Sequence, residues 1–262
     1  MNTPLSSGFF DFEAKRRISL IKKILLVGSG KGGVGKSFVA CGLALSLARE
    51  GRRTGLLDLD IHGASVPNYL QLRPPIRSSQ HGLEPKLAKG LKAMSVALFT
   101  GSNPVPMRGG MKEGLITELL ALTNWGPLDY LVVDLPPSAG DELLSSFRLF
   151  SGRSSLILVT TPSKTAIGVV SRLRRLAQTE RIPVEGVVLN MAFLRLGKTR
   201  TFPFGRLDPT SIRHSLSSEL IAEIPLDAGV NSVGLSTLLR GRTELAASFR
   251  LLTSKVLHGE KA

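Results

Sequence analysis

The chain has a single cysteine, Cys41, among its 262 residues. One thiol cannot close an intrachain disulfide, so the cysteine content does not point to secretion and the expected compartment is the cytoplasm. No apolar run approaches the roughly 18–20 residues needed to cross a bilayer. The opening segment is not expected to be a secretory leader, because Asp11 and Glu13 interrupt it. Aromatic residues are only 5%, too few for a base-stacking platform on single-stranded nucleic acid. The four histidines, His62, His81, His214 and His258, show no metal-ligand spacing. Acidic residues are also scarce: 20 against 34 Lys and Arg, a net charge of +14. Such an excess favours contact with nucleic acid, acidic proteins or an anionic membrane surface without choosing among them.

What is present reads as a globular α/β chain, with 42% apolar and 21% charged residues. Short apolar runs at residues 23–27, 54–59, 93–98, 130–135, 155–160, 184–189 and 221–224 are strand candidates. Most are continuously apolar, as in strands buried on both faces of a mostly parallel sheet with helices on both sides. Helical patterns fall at residues 37–50, 111–122 and 164–178, while 72–91 and 195–209, rich in Pro and Gly, read as loops. Residues 1–20 are expected to form a tail or short helix outside the main fold, and 21–262 a single domain.

The most informative stretch is Gly30, Lys31, Gly32, Gly33, Val34, Gly35, Lys36 and Ser37, which fits G-x-x-x-x-G-K-[ST]. It follows a predicted strand and opens a predicted helix, as a phosphate loop requires. Glycines let backbone N–H groups converge on phosphate oxygens, and the helix N-terminus adds a favourable dipole. Lys36 is expected to reach the β- and γ-phosphates of ATP and Ser37 to ligate Mg2+. Two predicted strands end in acid, one at Asp58 and Asp60, the other at Asp134. In open α/β sheets ligands lie beyond the carboxyl ends of strands, and an apolar strand ending in Asp is the pattern that holds the magnesium shell, here through Asp134.

Beyond the generic loop, Lys31 adds a second lysine at the loop's start. This resembles the deviant phosphate loop of the ATPase group that contains MinD, ParA, ArsA and the nitrogenase iron protein. Residues 57–67 are similar to the string LDADIYGPSIP, residues 125–137 to WGELDYLVIDLPP, residues 186–191 to GVVENM, and residues 224–227 to IPLD. Together these resemble the Mrp/ApbC family of iron–sulfur cluster carrier ATPases from about Lys23 to Val230. The resemblance implies that Lys31 reaches across a homodimer interface to the partner's nucleotide and that Asp60 orients the attacking water. It also implies that Asn190 reads the adenine edge, with the Pro225 loop beside the base.

The sequence departs from that family where the cargo would sit. The family carries Cys-x-x-Cys shortly after GVVENM; residues 190–205 hold no cysteine but do hold Arg195, Lys198 and Arg200, with Arg206 just beyond. Ser138-Ala139 stands where the family has Gly-Thr after its Pro-Pro pair, and Met107 where the family has Trp before Arg-Gly, here Arg108-Gly109. The expectation is therefore an ATP- and magnesium-binding ATPase with no iron–sulfur cluster of its own. It would act in cluster assembly through a partner or an acidic protein. The alternative is a ParA- or MinD-like switch that dimerises on ATP and binds DNA or a membrane surface. Arg172, Arg174, Arg175 and Arg181 would serve nucleic acid in that case, or form a solvated helix face.

Overall fold

The computed structural model describes residues 7–60, 63, 65–100, 109–137 and 140–259. His62, Met107, Ser138 and Ala139, singled out above, lie outside the described residues. Helix α1 (Ser7–Ser19) leads into β1 (Ile21–Ser29), and the phosphate-loop turn opens α2 (Lys36–Arg49). Next come β2 (Thr54–Asp58), α3 (Val66–Leu70), β3 (Arg77–Ser79), β4 (Gly82–Glu84), β5 (Lys86–Ala88) and β6 (Leu91–Ser95). Then follow α4 (Ala97–Thr100), α5 (Gly109–Leu122), β7 (Leu128–Asp134), α6 (Asp141–Leu149), β8 (Ser154–Thr160), α7 (Lys164–Thr179) and β9 (Val184–Leu196). The last elements are β10 (Thr199–Thr201), α8 (Pro209–Leu216), β11 (Leu220–Leu226), α9 (Gly229–Ser232), α10 (Leu235–Leu238) and α11 (Glu244–His258).

The main sheet runs β10-β9-β8-β1-β7-β2-β6-β5, with β11 also paired to β9. All its pairings are parallel except β5 with β6 and β10 with β9. The continuous apolar runs are explained by burial on both faces. In β1, Ile24 and Leu26 join one core with α1, α5, α6, α7 and α8, while Leu25 and Val27 join the other with α2, α3, α10 and α11. The mostly parallel sheet with helices on both faces is thus the architecture found. Among the described residues no helix is long and apolar enough to cross a membrane.

Three expectations need correction. The first concerns α1, which packs on the fold over Ser7–Ser19 instead of lying outside it. Phe10, Ala14 and Ile18 recur every fourth residue and form one apolar stripe on the core. Buried Arg17 fastens the helix, donating to the His81 carbonyl at 2.6 Å, the Ala121 carbonyl at 3.3 Å and Asn124 Oδ1 at 3.3 Å. The second concerns residues 72–91, where β3 and β4 form a hairpin and β5 turns back on β6.

The third concerns residues 195–209. Strand β9 runs on to Leu196, and Gly197 and Lys198 turn it into β10. The pairing sets Arg195 opposite Arg200, an unfavourable like-charge pair. Glu244, in the first turn of α11, offsets it: Oε1 accepts from both guanidinium groups, at 2.9 Å from Arg200. Those bonds, Arg200's first, hold the Glu244 carboxyl below its ordinary pKa. Arg200 also lies over the Phe193 ring, 4.2 Å from its centroid. Two of the arginines expected to face an acidic partner thus already have an acidic partner within the chain.

Candidate nucleotide site

Strand register brings the site together. Parallel pairing places Asp58 of β2 beside Asp134 of β7, and Asp134 beside Val27 of β1, so β2 and β7 end at one level and β1 runs two residues further, to Ser29. The turn after β1 opens there, at the position where β1 lies between β7 and β8 and where parallel α/β sheets take ligands. Gly35 adopts the left-handed conformation, φ +81°, at the N-cap of α2, a backbone state that favours glycine. Gly30 lies against α7 so closely that an added Cβ would stand 2.7–2.8 Å from Val169 and the Val170 nitrogen.

The turn encloses an open cavity of about 490 Å³, lined among others by Lys31, Gly32, Gly33, Gly35, Lys36, Ser37 and Asp60. Gly30, Val34, Asp134, Asn190 and Pro225 are not in that lining. Val34 and Asp134 are buried beneath it, and Asn190 donates from Nδ2 to the Val34 carbonyl at 2.9 Å. Pro225 is buried one residue beyond the Ile224–Asn190 pairing. A larger cavity, about 600 Å³, lies between the β9–β10 hairpin, β11 and α11 and contains none of the phosphate-loop residues. Size alone would therefore have chosen the wrong hollow.

Lys36 is buried at the cavity floor and faces two buried carboxylates, Asp134 and Asp60. Its Nζ donates to Asp134 Oδ1 at 2.6 Å, lies 4.0 Å from Asp60 Oδ2 and 3.4 Å from Ser37 Oγ. Asp58 does not touch the lysine but braces the loop. Its Oδ1 accepts from the Asp60 backbone N–H at 3.1 Å and its Oδ2 from the Ser95 hydroxyl at 2.8 Å. Asp60 Oδ1 in turn accepts from the Gly63 N–H at 2.9 Å. Burial pushes the Asp58 pKa up to about 7, with the neighbouring Asp134 charge adding to it. Burial raises Asp134 too, against the pull of Lys36.

The donor set fits magnesium. Asp134 Oδ2 is buried without a hydrogen-bond partner, while Oδ1 holds Lys36, and the Ser37 hydroxyl is close enough to favour the ionised carboxylate. Among the described residues no group of three or more His, Cys, Asp or Glu is placed to hold a metal. Magnesium at a phosphate loop needs no such group, since phosphates and waters supply most of its ligands.

Sequence reasoning missed Ser95, Tyr69 and Met191. Ser95 had a readable signal, a polar residue closing the apolar strand Leu91–Ser95, just as Asp58 and Asp134 close theirs. Tyr69 lines the cavity from a distant segment and carried none, while Met191 closes the 186–191 string, in which only Asn190 was singled out.

Comparison with known proteins agrees with this geometry. Residues 20–247 match the family model described as ParA, NUBPL iron-transfer P-loop NTPase. An iron–sulfur cluster carrier protein of Saccharolobus solfataricus is 35% identical over 227 residues, 84% of this chain and 76% of that protein. Another, of Bacillus subtilis, is 39% identical over 207 residues, 77% of this chain but only 58% of that protein. A nucleotide-binding protein from Archaeoglobus fulgidus, solved in complex with ADP, superposes with a TM-score of 0.75 at 34% identity, covering 87% of this chain and 90% of that one. The phosphate loop, the strand-end carboxylates and these relatives agree: the chain belongs to the NUBPL iron-transfer family of ParA-type P-loop NTPases.

Proposed function

We propose that this chain binds ATP with magnesium at the turn after β1 and hydrolyses it, acting in iron–sulfur cluster assembly or transfer without cluster-binding cysteines of its own. The observation that carries this reading is Lys36, a buried ammonium held 2.6 Å from Asp134 on the floor of the phosphate cavity. A cation kept there is placed for the β- and γ-phosphates, with the loop N–H groups and the start of α2 taking the remaining oxygens. The Archaeoglobus relative, a nucleotide-binding protein solved in complex with ADP, supports nucleotide binding by this fold. Bound magnesium would neutralise charge on the phosphate oxygens, and Ser37 and Asp134 are the residues that would hold it. Asp60, held at its backbone by Asp58 and at its carboxylate by Gly63, is set to orient the attacking water.

Lys31 is exposed at the cavity rim, where its side chain can leave its own site and reach a second copy. We read it as the in-trans lysine of an ATP-dependent homodimer. Light scattering should show two subunits with a slowly hydrolysed ATP analogue; a fully active monomer under every nucleotide condition contradicts this part.

The cargo half of the reading rests on the relatives, which are named iron–sulfur cluster carriers, and on where the thiol lies. Cys41 is fully buried on α2, and burial pushes its pKa well above the ordinary value, with Asp134 and Asp58 adding to the effect. Such a thiol is a packing residue and not an available ligand. Cluster ligands would come from a partner, with Lys198 and Arg206, exposed near the hairpin, as its first contacts.

The nucleotide assignment is tested by thermal melting with and without Mg-ATP. Ligand in large excess over Kd should raise the melting temperature by about 5 °C or more. Lys36→Ala should abolish the shift, and an unchanged shift in that variant would sink the assignment.

A further inference from the structure

In a phosphate loop the backbone N–H groups point at the ligand, so carbonyls of the same turn point back into the protein and need donors there. Val34 is such a residue. It is buried, 2% exposed, and its carbonyl accepts from Asn190 Nδ2 at 2.9 Å. Asn190 is itself 2% exposed. Its amide can face Val34 only one way round, because the flipped group would set one oxygen lone pair against another. The fit around it is tight: a Cβ on Gly35 would collide with Asn190 Nδ2. The side chain therefore both satisfies the inward-pointing carbonyl and fills the space behind the left-handed turn at Gly35.

The strand explains why residue 190 does this. Asn190 is held in the sheet, paired with Ile224 of β11. One residue later Met191 takes the left-handed conformation, φ +55°, and enters the lining of the nucleotide cavity. Asn190 is thus the last residue of β9 beneath the loop, and Met191 the first that lines the cavity.

We propose that Asn190 is a positioning residue for the phosphate loop, its amide latching the Val34 carbonyl inward, away from the cavity, so that the loop N–H groups are fixed toward the phosphates. The proposal rests on the nucleotide reading above and adds to it a role that works through the loop and not through the base. Removing the amide leaves a buried carbonyl without its donor and a void behind Gly35, and both loosen the turn. The loss should therefore follow the phosphates of the ligand, whatever base they carry.

Calorimetric titration of the full chain with Mg-ATP and with Mg-tripolyphosphate, which has no base, tests this against Asn190→Ala. Both ligands should weaken by a similar factor, about tenfold. Weaker ATP binding with tripolyphosphate unchanged would show that Asn190 contacts the adenine, and overturns the latch. So does a variant that melts earlier but keeps both affinities within about twofold, which is a packing role alone. Wild-type binding of ATP without tripolyphosphate also overturns it, since phosphates alone would then not engage the loop. If the wild-type chain binds neither, the nucleotide reading itself fails and the latch with it. Should Asn190→Ala not fold, Asn190→Ser removes the amide with a smaller void and carries the same comparison.

Discussion

The phosphate cavity and the β9–β10 hairpin lie at opposite ends of one strand segment, Asn190–Leu196, and are built on opposite terms. At the cavity, polar groups are buried and each is held by another: Ser95 holds Asp58, Asp58 holds the Asp60 backbone, and Asp134 holds Lys36. At the hairpin, Arg195 and Arg200 are about half exposed, and their shared partner Glu244 is the only carboxylate the structure gives them among the described residues. Buried charges keep their geometry because breaking one contact strands the others in low dielectric. Exposed pairs contribute little, about 0–1 kcal/mol, and rearrange at small cost. The first arrangement suits chemistry that needs fixed atoms, and the second suits a surface that changes partners.

The largest expected effect is at Asp60. Asp60→Ala removes the carboxylate set beside the cavity while leaving Lys36, Ser37 and the loop N–H groups in place. Turnover of Mg-ATP should fall by about a hundredfold or more, with ATP affinity changed only a few-fold. Steady-state hydrolysis and equilibrium binding measured on the same preparation decide it. Turnover lost only in proportion to binding would break the contrast, since Asp60 would then be a binding residue like any other.

A smaller effect concerns the buried carboxylates. Asp58 has a folded-state pKa of about 7, against about 3.9 in an unfolded chain. Between those values the folded state holds a proton that the unfolded state has released. Its contribution to stability is therefore full below about pH 4 and is lost as pH rises toward 7, with a slope of at most about 1.4 kcal/mol per pH unit. Asp134 acts in the same direction. Urea unfolding of the nucleotide-free protein between pH 5 and 8 should show wild type losing stability relative to Asp58→Asn as pH rises. Parallel curves would mean that Asp58 is not held protonated by the fold.

Much of the cavity was legible in the sequence because its parts are local. Lys36 and Ser37 belong to one eight-residue pattern, and Asp58 and Asp134 each end an apolar run, so strand register alone brings them together. The contacts that brace those parts were not legible. Ser95 meets Asp58 across 37 residues and Asn190 meets Val34 across 156, pairings that only the sheet order decides. The hairpin was misread as loop for a different reason. Gly197, Pro203 and Gly205 signal turns, and they outweighed the β-compatible Ala192-Phe193-Leu194 between them and Asn190. Helix α1 was misplaced because charged residues surround Ala14 and Ile18 and hide a stripe only one residue wide.

The contrast between a complete nucleotide site and a hairpin without thiolates is tested most directly by anaerobic reconstitution with iron and sulfide, removal of loose iron, and assay of bound iron, sulfide and visible absorbance. A bridging cluster needs about four thiolates, and two copies of this chain bring one buried Cys41 each. The expected result is no stoichiometric iron or sulfide and no charge-transfer absorbance, on a protein that still binds Mg-ATP. About four irons per dimer with that absorbance, both lost in Cys41→Ala, would contradict the account.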